Sequence, residues 1–161
     1  MREQELIQAI LNQVQKAVLG KGPVLARVLL AVLARGHVLL EDIPGVGKTT
    51  LALAFSKALG LRYQRVQFTP DVMPSDLTGF SIYNRETGTF EYRPGALMCN
   101  LLLADELNRA TSRTQSALLE AMEEGQVTVD GVSRPIGQPF LVIATQNPVG
   151  AAGTQPLPDS Q

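Results

Sequence analysis

Asp42-Ile43-Pro44-Gly45-Val46-Gly47-Lys48-Thr49 decides the reading of this 161-residue chain. It follows an apolar run, His37-Val38-Leu39-Leu40, and leads into a helical pattern from Thr49 to Leu59. Strand, glycine loop, lysine, hydroxyl and helix is the layout of a Walker A phosphate loop. Glycines let backbone N–H groups curl inward as an anion nest. The helix start adds unpaired N–H groups and the positive end of its dipole. Lys48 reaches the β- and γ-phosphates of a nucleotide, and the Thr49 hydroxyl suits Mg²⁺. The candidate nucleotide contacts are Pro44, Gly45, Val46, Gly47, Lys48, Thr49 and Thr50. Asp42 stands where the usual pattern has glycine. The competing reading is a tight strand-to-helix turn, which Gly-Lys-Thr alone leaves open.

Composition bounds the rest. The length is that of one domain, and 45% apolar residues suffice for a core. Charged residues are only 18%, and the formal net charge is −1, so no global basic field argues for nucleic acid. A lone cysteine, Cys99, excludes a disulfide framework and a cysteine-based zinc site. That fits a reducing, cytoplasmic setting, as does a charged start with no signal peptide. Val24 to Leu40 is broken by Arg27, Arg35, Gly36 and His37, so no apolar run reaches membrane-spanning length.

Working outward, Ile7, Ile10, Leu11, Val14 and Val18 predict an amphipathic helix over 3–18. Pro23 opens a second helix to Arg35, with Gly36 as its cap. After the loop, Leu51, Phe55, Ala58 and Leu59 form one helical stripe that Gly60 ends. Tyr63 to Phe68 reads as a strand, and residues 69–76 as loop or short helical turn. Phe80 to Tyr83 and Thr89 to Tyr92 read as a hairpin. Leu101 to Ala104 is an apolar strand buried on both faces, ending in Asp105-Glu106. Ser112-x-x-Gln115 predicts a capping box for a helix to Glu124. A short hairpin turns at Asp130-Gly131, a buried strand spans 140–145, and Gln146-Asn147-Pro148 follows it.

Strands alternating with helices predict a mainly parallel α/β sheet covered on both faces. Ligands in such sheets sit beyond the carboxyl ends of the strands. The phosphate loop, Asp105-Glu106 and Asn147 all occupy such ends. Asp105 takes the Walker B position, holding Mg²⁺ largely through water. Glu106 orients the attacking water, and Asn147 reaches the water or the γ-phosphate. The bland alternatives are a solvated strand edge for the acids and an Asn-Pro turn for Asn147. Arg109 and Arg113 are candidates for contacts across a subunit interface or are plain surface arginines. His37 and Cys99 read as structural. Tyr83, Phe90 and Tyr92 are either a recognition surface or packing residues.

Taken together, Glu41-Asp42-Ile43-Pro44-Gly45-Val46-Gly47-Lys48-Thr49, Gln67 to Asp71, Pro74 to Gly79, Leu103 to Ala110, Gln115 to Met122 and Ala144 to Pro148 resemble the MoxR family of AAA+ ATPases. The resemblance covers nearly the whole chain from about Leu19, and Asp42 belongs to the family pattern. It implies a P-loop AAA+ αβα core of strand order 5-1-4-3-2, with a hairpin insertion at Phe80–Tyr92. It implies Lys48 and Thr49 as Walker A, Asp105 and Glu106 as Walker B, Asn147 as sensor 1, and Gly20 near the adenine. Lys48, Glu106 and Asn147 are then the catalytic set, Thr49 and Asp105 the metal set, and ATP and Mg²⁺ the cofactors. Family members are ring-forming, commonly hexameric, chaperone-like ATPases that work with von Willebrand factor A domain proteins; no nucleic acid or membrane span is implied.

Relatives continue past the equivalent of Gly153 to Gln161 into an arginine finger, a fifth strand and a helical lid. The expectation is therefore a partial core: N-terminal helices over 1–36, a nucleotide-binding sheet over 37–149 and an irregular tail over 150–161. Strand one would be an exposed apolar edge prone to association, with poor turnover of ATP by the chain alone. The alternative function is a nucleotide-binding scaffold without productive hydrolysis. A GTPase or small kinase is disfavoured, because no Asn-Lys-x-Asp guanine signature is present.

Overall fold

The structure is a computed structural model that describes residues 2–17, 22–41 and 47–146. Two helices, α1 (Arg2–Ala17) and α2 (Gly22–Leu33), precede strand β1 (Val38–Glu41) and helix α3 (Lys48–Leu59). Strand β2 (Tyr63–Gln67), helix α4 (Pro74–Thr78) and the hairpin β3 (Phe80–Asn84) and β4 (Thr89–Arg93) follow. Then come β5 (Leu101–Asp105), helix α5 (Ser112–Glu124), the hairpin β6 (Gln126–Val129) and β7 (Val132–Pro135), and β8 (Leu141–Gln146).

The central sheet has the order β1-β8-β5-β2 and is parallel throughout. Counted along the sheet strands alone, this is 1-4-3-2, the expected order apart from a fifth strand. Among the described residues nothing pairs with the outer side of β1.

Strand β5 explains why the sheet is two-sided. Leu101, Leu102, Leu103 and Ala104 are all fully buried, so both faces are covered. Leu102 and Ala104 pack with Phe68, Leu97, Leu118 and Ala121 on the α5 side. Leu101 and Leu103 pack with Val28, Leu29, Leu51 and Phe55 on the side of α2 and α3. Ile7, Ile10 and Leu11 of α1 join this second cluster, as their spacing predicts. Each buried leucine contributes roughly 1.5–3 kcal/mol of transfer free energy.

Two local expectations are corrected. Helix α2 ends at Leu33, and Arg35, not Gly36, takes the left-handed conformation, with φ 55°. Gly36 N–H then bonds Ala31 C=O at 2.8 Å and Arg35 N–H bonds Val32 C=O at 3.1 Å, the paired bonds of a Schellman ending. The cap of α5 is Thr111, whose hydroxyl accepts from Thr114 N–H at 3.4 Å, so Ser112 is already helical. Gln115 is buried, and its amide donates to Ala110 C=O at 3.1 Å. A 3-10 turn, Leu107–Arg109, which periodicity did not signal, links β5 to α5.

The Asp130-Gly131 hairpin forms as predicted, with φ 51° and 75° at the two turn residues. The β3–β4 hairpin divides its aromatics. Tyr92 hydrogen-bonds Thr78 C=O and stacks beneath Arg134, 3.8 Å from the ring centroid. Tyr83 and Phe90 pair with each other, ring centroids 5.2 Å apart, on the exposed face. No helix among the described residues is long and apolar enough to cross a membrane.

Candidate active site

Parallel pairing brings the polar ends of four strands to one edge. Glu41 pairs with Gln146, Leu40 with Thr145, and Gln67 with Asp105. Helix α3 begins at this edge, and its first turn closes with Leu51 N–H on Gly47 C=O at 2.7 Å. Gly47 has φ 96°, a conformation that glycine adopts at little steric cost. Lys48 and Thr49 are half-buried in the first turn, and Thr50 is exposed. Of the other sequence-predicted contacts, Gly20, Asp42, Pro44, Gly45, Val46 and Asn147 lie outside the described residues, as does the tail over 150–161.

Asp105 is the hub of the described part. Its Oδ1 accepts from the Thr145 hydroxyl at 2.7 Å, and its Oδ2 accepts from Arg65 Nη2 at 2.8 Å. Burial opposes its ionisation. The hydrogen bonds from Arg65 and Thr145 and the charges of Arg65 and Lys48 outweigh that, so its carboxyl lies below its ordinary value. Asp105 is therefore an anion at neutral pH, and the Lys48 ammonium is near enough to be felt there.

Glu106 is held differently. Its backbone is left-handed, φ 54° and ψ 48°, a state costing a non-glycine residue roughly 1–2 kcal/mol. Its N–H donates to the Thr145 hydroxyl at 2.9 Å, so one buried threonine ties both acids to β8. The Glu106 carboxylate meets Arg109 Nη1 at 3.2 Å, across the 3-10 turn. Such a residue turns the chain sharply off the strand end, so Asp105 and Glu106 do not simply continue the strand's alternation. Arg109 is thus an ion-pair partner within the chain, whereas Arg113 is exposed on the first turn of α5.

This donor set fits a hard cation held through few protein oxygens. It comprises one ionised carboxylate, Asp105, and one hydroxyl at the head of α3, Thr49. Among the described residues no group of three or more His, Cys, Asp or Glu could form an all-protein cage. Mg²⁺ is commonly held through one or two carboxylates plus phosphates and water, not by such a cage.

Thr145 and Arg65 are site-edge residues that sequence reasoning did not single out. A hydroxyl ending the apolar run Leu141 to Ala144 was the available signal for Thr145. Arg65 carried none, because its approach to Asp105 depends on strand register. Two cavities among the described residues lie elsewhere. One of about 160 Å³ is bounded by Leu39, Leu118, Met122 and Ala144 beside the β1 edge. The other, about 430 Å³, is bounded by Arg35, Glu123, Gly137 and Phe140. His37 touches both and is structural, as predicted. Its Nδ1 accepts Val142 N–H at 3.0 Å, and burial lowers its pKa more than the Met122 backbone bond raises it. Cys99 is buried, and desolvation pushes its thiol up to about 11, which leaves it inert.

Comparison with known proteins places this architecture. Over 156 residues the chain is 54% identical to the protein YeaC of Bacillus subtilis (strain 168), covering 97% of this chain and 49% of YeaC. It is 42% identical over 159 residues to the chaperone MoxR1 of Mycobacterium tuberculosis (strain ATCC 25618 / H37Rv), covering 99% of this chain and 42% of MoxR1. A crystal structure of a proposed ATPase from Cytophaga hutchinsonii ATCC 33406 superposes with a TM-score of 0.81 at 43% identity, over 96% of this chain and 47% of that one. The chain thus spans about half the length of the curated relatives it matches. Residues 37–161 match the family described as "ATPase family associated with various cellular activities (AAA)". With that match, the parallel sheet and the named relatives in agreement, the chain belongs to the AAA ATPases, among the MoxR proteins.

Proposed function

We propose that this chain binds ATP with Mg²⁺ and carries the water-activating carboxylate of an ATPase that remodels or matures other protein complexes in a chaperone-like manner. The observation that carries this reading is the tie of Asp105, Glu106 and Thr145 at the edge where α3 begins. Lys48 would hold the phosphates and Thr49 the metal, and Gly47 and Thr50, with Gly20, Pro44, Gly45 and Val46 outside the described residues, are the residues assigned to the remaining nucleotide contacts. Asp105 keeps its charge for the metal's water shell. Glu106 accepts hydrogen from the attacking water, and Asn147 orients that water or the γ-phosphate. Bound Mg²⁺ supplies charge neutralisation across the β- and γ-phosphates.

The chaperone assignment extends the printed name of the MoxR1 relative to this chain. A hexameric ring, a von Willebrand factor A domain partner and a cytoplasmic setting accompany it as proposals. The second reading, a nucleotide-binding scaffold without productive hydrolysis, is favoured by one contact: Arg109 holds the Glu106 carboxylate that hydrolysis needs free.

Glu106→Gln separates these. Binding of ATP should survive and phosphate release should fall roughly 100-fold or more, the usual range for a general base. Loss of binding in a folded variant would remove Glu106 from this role. An unchanged low turnover in both forms would favour the scaffold.

A further inference from the structure

Asp105 has both carboxylate oxygens engaged by protein donors. Thr145 on β8 takes Oδ1, and Arg65 on β2 takes Oδ2. Arg65 pairs in register with Leu103, two residues before Asp105. Alternation along parallel strands therefore puts Arg65, Gln67, Leu103 and Asp105 on one sheet face. Leu103 packs against Leu51 and Phe55, so this is the face that α3 covers, with Lys48 at its head. The arginine runs diagonally up the sheet, and its Nη2 also donates to Gln67 Oε1 at 3.1 Å.

The two partners differ in environment. The Arg65 side chain is 46% exposed and that of Asp105 17%. Arg65 can swing into water; Asp105, hemmed in by Thr145, cannot follow. Glu106 and Arg109, also at this edge, pair with each other, and Arg65 pairs with Asp105.

We propose that Arg65 is a positioning residue that holds the place of the metal on Asp105 Oδ2 until Mg²⁺–nucleotide enters. Its pair with Asp105 keeps the carboxylate aimed toward the head of α3. With a cation bound beside that oxygen, the Arg65 guanidinium would swing out into water. Arg65 therefore competes with the metal while favouring the anionic nucleotide. This rests on the nucleotide-site reading above, with Asp105 as the metal-side acid.

The test uses Mn²⁺ alone, followed by water-proton relaxation on the nucleotide-free chain, and a fluorescent ATP analogue titrated without metal. In Arg65→Gln, Mn²⁺ affinity should rise roughly two- to fivefold, the range that a half-exposed ion pair withholds. Metal-free analogue affinity should fall by a similar factor. Merely structural damage at β2 would lower both affinities, so the opposite signs are diagnostic. Arg65→Lys, which keeps the charge without the guanidinium fork, should fall between wild type and Arg65→Gln, and serves if the latter does not fold. Mn²⁺ affinity that is equal or weaker in the variants overturns the proposal. Wild-type chain that binds no ATP analogue overturns the nucleotide-site reading instead, so the two failures are distinct.

Discussion

Replacing Thr145 by Val tests how the two acids are held. Thr145 is fully buried and close to valine in shape, so the change removes a hydroxyl and little else. That hydroxyl donates to Asp105 Oδ1 at 2.7 Å and accepts from Glu106 N–H at 2.9 Å. A hydrogen bond to a charged acceptor is worth roughly 1.5–3 kcal/mol, and a stranded buried N–H costs roughly 1–3 kcal/mol. Both losses come from one atom and overlap, so the expected destabilisation at neutral pH is roughly 2–4 kcal/mol. Urea unfolding followed by circular dichroism reads it as a lower midpoint at unchanged slope.

The pH dependence adds a second signature. The Thr145 bond is among the causes that hold the Asp105 carboxyl below its ordinary value of 3.8. A depressed carboxyl contributes stability that is present above its unfolded value and lost as pH falls through its folded value. The deficit of the valine variant should therefore be full at pH 7 and shrink below 3.8, leaving the share due to Glu106 N–H. Thr145→Ser keeps the hydroxyl and should cost only about 1 kcal/mol for the lost methyl. A deficit under about 0.5 kcal/mol for Thr145→Val, against the full bond value, or one that ignores pH, would refute the reasoning.

Two further outcomes follow from other parts of the fold. The single histidine, His37, is neutral in the native state because burial lowers its pKa, and it accepts Val142 N–H. The unfolded state then binds more protons below 6.5, so stability should fall as pH drops through that value; His37→Gln should flatten the slope in urea titrations, and an unaltered slope would contradict this. Gly79, at φ 87°, sits where an added Cβ would strike the Arg93 carbonyl and the Gly95 backbone. Gly79→Ala should therefore cost about 2–4 kcal/mol and loosen the β3–β4 hairpin, visible as faster hydrogen exchange there; a near-native melting curve would show that the crossing relaxes easily.

The hairpin pair Tyr83 and Phe90 and the outer side of β1 are among the places where apolar surface is open, together with Leu30 and Leu33 of α2. Leu39 on β1 is 39% exposed and Phe90 on β4 is 74% exposed.

Local chemistry in the sequence was enough for the element types and for the strand-end acids. Leu101 to Ala104 is apolar without alternation, which only a strand covered on both faces requires. Asp130-Gly131 specifies its turn because both residues must take positive φ. Asp105 and Glu106 stand out because charge directly follows that buried run. Helix ends were legible less well. Arg35 rather than Gly36 turns left-handed, and Thr111 rather than Ser112 caps α5, because either neighbour satisfies the local rule and packing chooses. What tertiary structure alone decided is who faces the acids. Strand register brings Arg65 and Thr145 to the two oxygens of Asp105, from 40 residues away in either direction along the chain. A left-handed backbone aims Glu106 at Arg109. Those partners depend on strand order and register, which are set by the whole sheet's burial and not by any neighbouring residue.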